Sequence, residues 1–471
     1  MSKSPESRLR NPVGTHGGAS ASGGPTPLAA DCPFPGLPAY KNALAALTHE
    51  PSILAALDSF HRDLGDIFRL PIPGFAPVVL AGAQANHFVL VEQRRQLRWR
   101  MDGDPVGHLL RNGLLMQDGA AHDSLRGIIQ PALHRERVTG YSETFVRHTD
   151  ELTAGWDDSP RDMLVEMRRL ALLVLVETLF GVDIGPHLNE LWRPLLRTLD
   201  YIAPGPWLVW PGVPRPGYAE ACRELDQFLY RLIAARRSAP ARRPDLLDEL
   251  CSALGADDEL IRDQVMTLLI AGHDTSTALL AWTLYLLGKH PAAMAQARGE
   301  VDAIVGSGVP SAEQVGQLSY LDRVVKESLR LYPPIHLGNR RAATALEFRG
   351  YKIPAGTRVL YSIYLSHRDP RYWHAPDRFN PERFAPERGG GPPPFAYLPF
   401  GGGPRFCIGA AFAQLEAKLI LARLLQQFDL QLVSTRVRPH MGATLEPRPG
   451  VILRAHRRTR PAPGRSTRPD Q

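Results

Sequence analysis

The stretch FGGGPRFCIGAAFAQLE, residues 400–416, places one cysteine among four glycines and directly before a segment of helical periodicity. Apolar residues such as Phe412, Leu415 and Leu419 recur every three or four positions, which predicts a helix that begins just after Cys407. Unpaired backbone N–H groups and the helix dipole favour an anion there, so we expect a lowered thiol pKa and a thiolate. A thiolate serves as a ligand or as a nucleophile. The adjoining sequence offers no histidine base, although folding can bring a distant one close.

The residues around the cysteine favour the ligand. Glycines remove side chains, so that the backbone can approach a flat group closely; these are Gly401, Gly402, Gly403 and Gly409. Arg405 offers a planar guanidinium that can grip a carboxylate. A thiolate for iron, an open backbone for a macrocycle and an arginine for a propionate together predict haem b (iron protoporphyrin IX), with Cys407 as the iron ligand. A buried cysteine in a glycine-rich turn is the alternative.

The same stretch fits the pattern F-x-x-G-x-R-x-C-x-G at Phe400, Gly403, Arg405, Cys407 and Gly409. This pattern resembles the haem-binding signature of the cytochrome P-450 monooxygenases, in which a cysteine thiolate holds the haem iron. The resemblance implies a mainly α fold with a minor β part, in which a large helical region and a small β-sheet region surround a buried haem. It covers roughly residues 35–455.

A second match lies upstream of the cysteine. The segment KESLRLYPP contains Glu327 and Arg330, three positions apart on one predicted helix face, where opposite charges can meet. By itself such a pair usually forms a solvated face. Followed by NPERF and then by the cysteine stretch, it resembles the family's structural Glu-Arg-Arg triad, with Arg383 as third member. The resemblance implies that the triad holds the fold around the cysteine loop.

A long apolar run, residues 265–287, has the polar centre AGHDTST at residues 271–277. Its length alone would suit a membrane span. An aspartate at a bilayer centre is costly, however, even before the neighbouring histidine and hydroxyls are counted. We therefore predict a long helix through a protein core and no membrane span.

The polar centre of this helix resembles the family's A-G-x-D-T-[ST]. The resemblance implies that Ala271 and Gly272 leave space for dioxygen, and that Thr275 and Asp274 order water and deliver protons to the oxygen. The alternative is a threonine bonded to its own helix carbonyl beside a salt-bridged aspartate. His273 is expected to fill space rather than to bind a ligand.

Further matches concern the haem propionates. His122 and Arg126 lie four positions apart in DGAAHDSLR, like the family's H-x-x-x-R. Arg340, in HLGNRRAA, stands where family members often have another propionate arginine. The neighbouring Arg341 leaves that register open.

The composition, with 44% hydrophobic and 22% charged residues over 471 positions, is that of a globular protein. The net charge of +7 does not indicate nucleic-acid binding, because six arginines follow Leu453 and concentrate the excess in the tail. Four cysteines without paired spacing favour a reducing cytoplasm over a disulfide framework. We predict a disordered leader over residues 1–30, one catalytic domain over residues 31–455 and a basic flexible tail over residues 456–471.

Shorter patterns predict the minor β part and one loop. Residues 67–80 are typical of a hairpin followed by a helix, residues 340–359 of small strands, and residues 443–455 of another hairpin. Residues 203–217, rich in proline and glycine and holding two tryptophans, predict a mobile apolar loop between helices. This loop is either a lid over an apolar pocket or a cover packed on the core.

The resemblance implies a haem-thiolate monooxygenase that activates dioxygen and hydroxylates an apolar organic substrate, with the terpenoid, carotenoid or fatty acid class favoured. The segments expected to line the substrate pocket are residues 99–110, 207–211, 335–338 and 441–444. Electrons would come from NAD(P)H through a separate ferredoxin- or flavodoxin-type donor. A basic docking face for this donor, with solvated surface as the alternative, would include Arg135, Arg137, Lys418 and Arg423.

The protein is expected to be a cytoplasmic monomer. Two other functions stay open. A peroxide-driven hydroxylase of the same fold commonly lacks the helix threonine that is present here. A non-catalytic haem-thiolate protein that binds a ligand or senses gas needs no proton relay.

Overall fold

The computed structural model describes residues 30–49, 52–70, 75–101, 104–205, 210, 212–239, 244–388 and 391–459. Most of them are helical. The α-helices are α1 (Leu37–His49), α2 (Ile53–Leu64), α3 (Ala83–His87), α4 (Pro105–Leu110), α5 (Gly119–Ile129), α6 (Arg135–Thr139), α7 (Ser142–Ala154), α8 (Met163–Phe180), α9 (Leu188–Ile202), α10 (Tyr218–Ser238), α11 (Leu246–Leu254), α12 (Asp258–Lys289), α13 (Pro291–Ile304), α14 (Ala312–Gln317), α15 (Ser319–Leu331), α16 (Ile363–Ser366) and α17 (Ala410–Gln427). The strands are β1 (Ala30–Asp31), β2 (Ile67–Arg69), β3 (Val78–Ala81), β4 (Leu97–Arg98), β5 (Arg161–Asp162), β6 (Leu337–Ala342), β7 (Leu346–Phe348), β8 (Tyr351–Ile353), β9 (Arg358–Ser362), β10 (Phe428–Leu432), β11 (Arg438–Met441), β12 (Leu445–Arg448) and β13 (Ile452–Arg457).

Helix α12 runs through the helical region. Its first turn is capped by Asp257, whose side chain accepts a hydrogen bond from the Leu260 N–H at 2.9 Å. Between residues 261 and 287 all but three residues are buried, with α8, α10, α15 and α17 among the helices that pack around them. A helix that is apolar on all sides needs protein on all sides. The predicted long core helix is confirmed.

The largest sheet has the strand order β2-β3-β9-β6-β4. Strands β2 and β3 pair antiparallel with Ile67 opposite Leu80, so the predicted hairpin and the helix after it, α3, are confirmed. Strands β6 to β9 confirm the small strands predicted over residues 340–359. The edge strand β4 pairs antiparallel with β6 and brings the segment after α3 beside Arg340 and Arg341.

The hairpin predicted over residues 443–455 is wrong. Strand β12 pairs with β11, whereas β13 pairs with β10 and β5, so the two expected arms belong to different sheets. Asp162, the N-cap residue of α8, accepts a hydrogen bond from the Val451 N–H at 3.0 Å and directs the chain towards β5. Strand β13 also finds five ladder partners in β10, from Phe428 to Leu432. Distant strands thus satisfy the backbone groups that a local hairpin would have paired.

Helix α15 presents a buried Glu-Arg pair to the loop that precedes the cysteine stretch. Arg330 donates from Nε to Glu327 Oε2 at 2.7 Å and from Nη2 to Oε1 at 2.9 Å. Arg383 Nε donates to Glu327 Oε1 at 3.1 Å, and the Asn380 N–H does so at 2.9 Å. Glu327 and Arg330 are fully buried. The predicted interaction of these three charged residues is confirmed.

The first and last described strands lie within two residues of the predicted domain boundaries. Strand β1 pairs parallel with β8, and β13 continues to Arg457. Residues 1–29 and 460–471 lie outside the described residues, so the leader and the tail stay predictions. In the part of the chain that the structure describes, no α-helix has both the length and the apolar content to cross a membrane.

Candidate active site

Cys407 lies between the 3₁₀ turn Gly403–Arg405 and helix α17, which begins three residues later at Ala410. The Cys407 N–H donates to the Phe400 carbonyl at 2.9 Å, and the Ala410 N–H donates to the Cys407 carbonyl at 3.3 Å. These backbone bonds hold the cysteine just ahead of the helix, where the sequence predicts it. The residue is exposed in the structure, so its sulfur is open to a ligand.

The protonation of this thiol differs from the expectation. Although part of its residue is exposed, the protein atoms around the sulfur reduce its contact with water, and this desolvation raises the pKa of Cys407. The Gly409 N–H and the charge of Arg126 lower the pKa without outweighing the desolvation. The expected resting thiolate is therefore wrong for the protein alone. A coordinated metal ion would displace the proton, because thiols bind metals as thiolates.

The signature glycines have different roles. Gly401 and Gly403 adopt φ values of 70° and 64°, a region that glycine occupies without strain. A Cβ on Gly403 would lie 2.4 Å from the Leu90 carbonyl oxygen, so this glycine lets the cysteine loop touch the segment before β4. A Cβ on Gly409 would meet nothing within 4 Å. Gly409 therefore fits the expected open space beside a flat group, whereas Gly403 serves backbone packing instead.

Three residues of α12, Ala271, Gly272 and Thr275, are partly exposed although their helix neighbours between 261 and 287 are buried. Residues four positions apart share one side of a helix, so Ala271 and Thr275 are exposed on the same side of α12. The Thr275 hydroxyl donates to the Ala271 carbonyl at 2.7 Å. The alternative interpretation of this motif, a threonine bonded to its own helix carbonyl, predicts this contact. Gly272 departs from its expected role. A Cβ there would lie 2.7 Å from Leu175 Cδ1, so the missing side chain lets α8 pack against α12.

Asp274 is buried between α8 and the β11–β12 hairpin. Thr444 Oγ1 donates to Asp274 Oδ2 at 2.7 Å, and Arg168 Nη2 lies 3.8 Å from Asp274 Oδ1. Arg168 also donates to Glu446 Oε1, while Arg448 Nη2 lies 3.1 Å from Glu446 Oε2. We call Asp274, Arg168, Thr444 and Glu446 the Asp274 cluster. Arg168 and Glu446 were not predicted, because no motif in the sequence links them to the aspartate, whereas Thr444 lies in a segment expected to line the substrate pocket.

The Asp274 cluster is incompletely hydrogen-bonded. Asp274 Oδ1 and Arg168 Nε are buried without a hydrogen-bond partner among the described residues, whereas Glu446 Oε2 is ion-paired with Arg448. Desolvation raises the pKa of both carboxyl groups, and the charge of Arg168 opposes this shift. Buried polar groups of this kind are sites where ordered water completes the bonding. The cluster can therefore hold water and protons beside Thr275.

His273 packs away from that cluster's carboxylates. One ring nitrogen, Nε2, lies 3.1 Å from the Arg168 carbonyl oxygen. Burial lowers the pKa of His273 to about 3, so the imidazole is neutral at physiological pH. This hydrogen bond to the backbone of α8 involves no ligand, and the space-filling role of His273 stays a prediction.

A cavity of about 970 Å³ lies beside the cysteine loop. His122, Arg340 and Arg405, all expected at the propionates, border it together. Arg405 Nη2 donates to Asp118 Oδ1 at 2.6 Å. The guanidinium of the buried Arg340 lies 5.7 Å from the centroid of the Trp99 ring. One wall of the cavity is thus cationic.

Arg126 is not among the residues bordering this cavity within the described part of the chain. Its Nε donates to Gln130 Oε1 at 3.2 Å, four positions along the same helix. Its charge nevertheless acts on the sulfur, since it lowers the pKa of Cys407. Arg126 is therefore close enough to Cys407 for its charge to act on the sulfur.

Three of the four residues expected in a basic docking face are engaged within the chain. The acidic partners are Glu249 for Arg137, Asp322 for Lys418 (3.2 Å) and Asp150 for Arg423 (2.7 Å). Arg135 is exposed. Cations held in such pairs offer less charge to a partner, and the basic docking face stays a prediction.

The segments expected around the substrate are only partly described. Residues 206–209 and 211 lie outside the described residues, while Trp210 is 63% exposed and so does not cover the core. In the segment 441–444, Thr444 is bound to Asp274. Gly338 has no room for a side chain, because a Cβ there would lie 2.0 Å from the Tyr361 ring.

The residues present fit haem. Haem needs one axial ligand for iron and cationic partners for two propionates. Cys407 offers an accessible sulfur, and Arg340 and Arg405 place guanidinium groups on the wall of the adjacent cavity. The open side of Gly409 leaves room for a flat ring near the sulfur.

Comparison with known proteins agrees with this geometry. The family model for cytochrome P-450 matches residues 33–454. Cyclooctatin synthase of Streptomyces melanosporofaciens is 34% identical over 445 residues, which cover 89% of this chain and 92% of that protein. Cyclooctat-9-en-7-ol 5-monooxygenase of the same organism is 35% identical over 356 residues, covering 73% and 76%. A crystal structure of the haem domain of a cytochrome P-450DA mutant has a TM-score of 0.78 at 27% identity, covering 91% of this chain and 98% of that one.

The predicted fold class, a large helical region with a small β-sheet region, is confirmed by this structural match. The matched family and its relatives establish a haem-thiolate monooxygenase, an oxidoreductase that uses haem and dioxygen. The cysteine loop, the buried Glu-Arg-Arg interaction and the long central helix all lie within the matched residues 33–454. This chain belongs to the cytochrome P-450 family.

Proposed function

We propose that this protein hydroxylates a large apolar substrate of the terpenoid, carotenoid or fatty acid class, with terpenoids first. Two relatives support this order: one is named as a synthase of cyclooctatin and the other as a monooxygenase of cyclooctat-9-en-7-ol. Electrons come from NAD(P)H through a separate ferredoxin- or flavodoxin-type donor. The protein works as a cytoplasmic monomer.

The observation that carries this proposal is the partial exposure of Ala271, Gly272 and Thr275 in an otherwise buried helix. A bound haem supplies the activation of dioxygen. Cys407 would hold it through the sulfur, while His122, Arg126, Arg340 and Arg405 would surround its propionates. Of these three partly exposed residues, Thr275 has the polar side chain, so its hydroxyl can meet water on the exposed side of α12.

Thr275 and Asp274 hold the protons that the reaction consumes. The Thr275 hydroxyl donates a hydrogen bond to the Ala271 carbonyl in this structure, which leaves its oxygen lone pairs free to accept a hydrogen bond from water. Asp274 Oδ1 has no hydrogen-bond partner among the described residues, and its raised pKa favours the protonated form relative to an exposed aspartate. Asp274 can therefore supply a proton that water relays to Thr275.

Substitution of Thr275 by alanine tests this relay. We expect NADH consumption with a suitable donor to continue in Thr275→Ala while product falls and hydrogen peroxide appears. Thr277→Ala is the matched control, because the Thr277 hydroxyl bonds the His273 carbonyl at 2.8 Å in the same helix but is buried. This control should keep its coupling of electrons to product.

Unchanged coupling in Thr275→Ala would count against the relay. It would favour the peroxide-driven hydroxylase, and equal product from added peroxide in both proteins would strengthen that reading. A protein that binds haem but forms no product with any donor or peroxide would instead favour the ligand-binding or sensor function.

The substrate class is tested by titrating terpenoids, carotenoids and fatty acids into the haem protein and recording the shift of the haem absorption band. Saturable shifts with terpenoids, followed by hydroxylated product, are the expected result. The ligand is tested separately by Cys407→Ser, which should abolish the long-wavelength band of the reduced carbon monoxide complex. A variant that keeps this band would refute the sulfur ligand.

A further inference from the structure

Glu446 on strand β12 is a buried carboxyl group of the Asp274 cluster that the proposed relay does not use. Its side chain is 6% exposed, and each carboxyl oxygen faces a different arginine. Oε1 accepts a hydrogen bond from Arg168 Nη2, and Oε2 lies 3.1 Å from Arg448 Nη2. The Arg168 side chain is 10% exposed and the Arg448 side chain 47%. Glu446 therefore joins a buried cation to one that solvent reaches.

Asp274 and Glu446 face the same nitrogen of Arg168. Arg168 Nη2 lies 3.8 Å from Asp274 Oδ1, which is too far for a hydrogen bond, whereas it bonds Glu446. One buried cation thus serves two buried carboxyl groups but bonds only one of them. Since burial disfavours a carboxylate that lacks a cation, this arrangement favours the negative charge on Glu446 and the proton on Asp274.

The backbone around the two carboxyl groups is held in place, while the guanidinium between them is less restrained. Trp282 Nε1 donates to the Leu445 carbonyl at 2.8 Å, and the Leu445 N–H donates to the Pro334 carbonyl at 2.9 Å. These bonds hold β12 against α12. Arg168 Nε has no hydrogen-bond partner among the described residues, so no bond of that nitrogen opposes a rotation of the guanidinium from Glu446 towards Asp274.

The charge of Arg168 is the main influence that favours ionisation of Asp274. Among the groups that lower the pKa of this carboxyl against the effect of burial, Arg168 has the largest effect. Further titratable or charged groups around the cluster are Asp200 of α9, His273 of α12, and His440 and Arg448 of the β11–β12 hairpin. The position of Arg168 therefore governs whether Asp274 keeps its proton.

We propose that Glu446 supplies the relay with protons from solvent by exchanging Arg168 with Asp274. Protonation of Glu446 forms an O–H bond and removes the anion that holds Arg168. The arginine, which stays charged, then pairs with Asp274 and stabilises its carboxylate, so that Asp274 releases its proton towards Thr275. A proton passed from Glu446 to Asp274 through ordered water restores the first arrangement.

Each cycle moves one proton from solvent to Thr275 and consumes no other reactant. Glu446 acts through Asp274 and is therefore a positioning residue for the reaction. This inference rests on the proposed relay through Asp274 and Thr275.

Infrared spectroscopy of the haem-loaded protein tests the exchange of Arg168. The carboxyl C=O band that disappears in Asp274→Asn reports the protonation of Asp274. In Glu446→Gln no second anion competes for Arg168, so Asp274 should titrate at a pH lower by about 1 or more than in the parent protein. The control Glu347→Gln, which changes an exposed glutamate of strand β7, should leave this titration unchanged.

A crystal structure of Glu446→Gln separates this exchange from a mere entry of water. It should show Arg168 Nη2 within hydrogen-bond distance of Asp274 Oδ1. An Asp274 titration that is unchanged or moved to higher pH, or a lowered one with water and not Arg168 bound to Oδ1, would overturn the proposal.

Turnover separates this proposal from the relay itself. Glu446→Gln should lose most of its product per NADH at neutral pH and regain it in acid, where Asp274 is protonated directly, while Glu347→Gln should couple like the parent protein. Normal coupling in Glu446→Gln beside an uncoupled Thr275→Ala would overturn the role of Glu446 and leave the relay intact. Normal coupling in Thr275→Ala would refute the relay and this role with it.

Discussion

Two buried clusters of charged side chains differ in how completely they are bonded. Around Glu327, every side-chain nitrogen and oxygen of Glu327, Arg330 and Arg383 has a hydrogen-bond partner. In the Asp274 cluster, Asp274 Oδ1 and Arg168 Nε have none among the described residues. Both clusters join a helix to a distant loop or hairpin.

The difference teaches that burial of a charge does not by itself indicate its role. A fully satisfied network rigidifies the fold, because every group that loses water gains a fixed partner. Unpaired buried groups retain bonding capacity that water or a proton can use. The Glu327 cluster is therefore a structural joint, whereas the Asp274 cluster is suited to proton transfer beside Thr275.

Removing the carboxylate of the satisfied cluster should have the largest effect. Glu327→Ala leaves two buried guanidinium groups without their common anion, so we expect a loss of about 3 to 5 kcal/mol in the free energy of unfolding. Urea unfolding followed by far-UV circular dichroism measures it. Asp58→Ala, which removes a solvent-exposed ion pair with Arg62, is the control and should cost about 1 kcal/mol or less. Equal losses of unfolding free energy in the two variants would contradict the structural role of the Glu327 cluster.

Glu416 extends the comparison to a third buried carboxyl group, whose hydrogen-bond partner is a hydroxyl and not an arginine. Ser276 Oγ donates to Glu416 Oε2 at 2.5 Å, and burial raises the pKa of Glu416 to about 8. The unfolded chain releases this proton near pH 4.5 and the folded protein only near pH 8, so the group's contribution is complete below pH 4.5 and is lost as the pH rises to 8.

Glu416→Gln cannot titrate, so its free energy of unfolding should fall less between pH 5 and 8 than that of the parent protein. The difference in slope should amount to a few kcal/mol over this interval, since each unit of pKa shift corresponds to about 1.4 kcal/mol. Urea unfolding at several pH values measures it. Parallel pH profiles in the two proteins would show that Glu416 is ionised in the folded state.

The smallest effect on stability is expected in the unsatisfied cluster. Asp274→Asn removes a carboxyl group whose ionised form burial already disfavours, and Arg168 keeps Glu446 as its partner. We expect the free energy of unfolding to change by about 1 kcal/mol or less, while product formed per NADH falls and hydrogen peroxide rises. A stability loss as large as that of Glu327→Ala, with normal coupling, would assign Asp274 the structural role instead.

The spacing of residues in the sequence predicted the cluster around Glu327. It did not predict the contacts within the Asp274 cluster. Glu327 and Arg330 are three positions apart on a helix, and a pattern match supplied Arg383. Arg168, by contrast, lies on a helix more than one hundred residues before Asp274, and Glu446 lies on a hairpin more than one hundred residues after it. No periodicity connects such positions, because their contact exists only after α8 and β12 pack on α12.

The corrections have the same physical origin. Gly272 and Gly403 were interpreted as space for dioxygen and haem, yet their missing side chains admit Leu175 and the Leu90 carbonyl. The hairpin predicted over residues 443–455 does not form, because β13 pairs its backbone with β10 and β5 instead of with β12. In each case a neighbour from another part of the chain decided the outcome.

The amino-acid sequence by itself determined the helix periodicity, the cysteine ahead of α17 and the pattern that indicates the family, since these depend on residues close together in the chain. Only the tertiary structure decided the protonation of Cys407 and the partners of Asp274. Desolvation and ion pairing depend on which distant groups surround an atom, and folding alone brings those groups together.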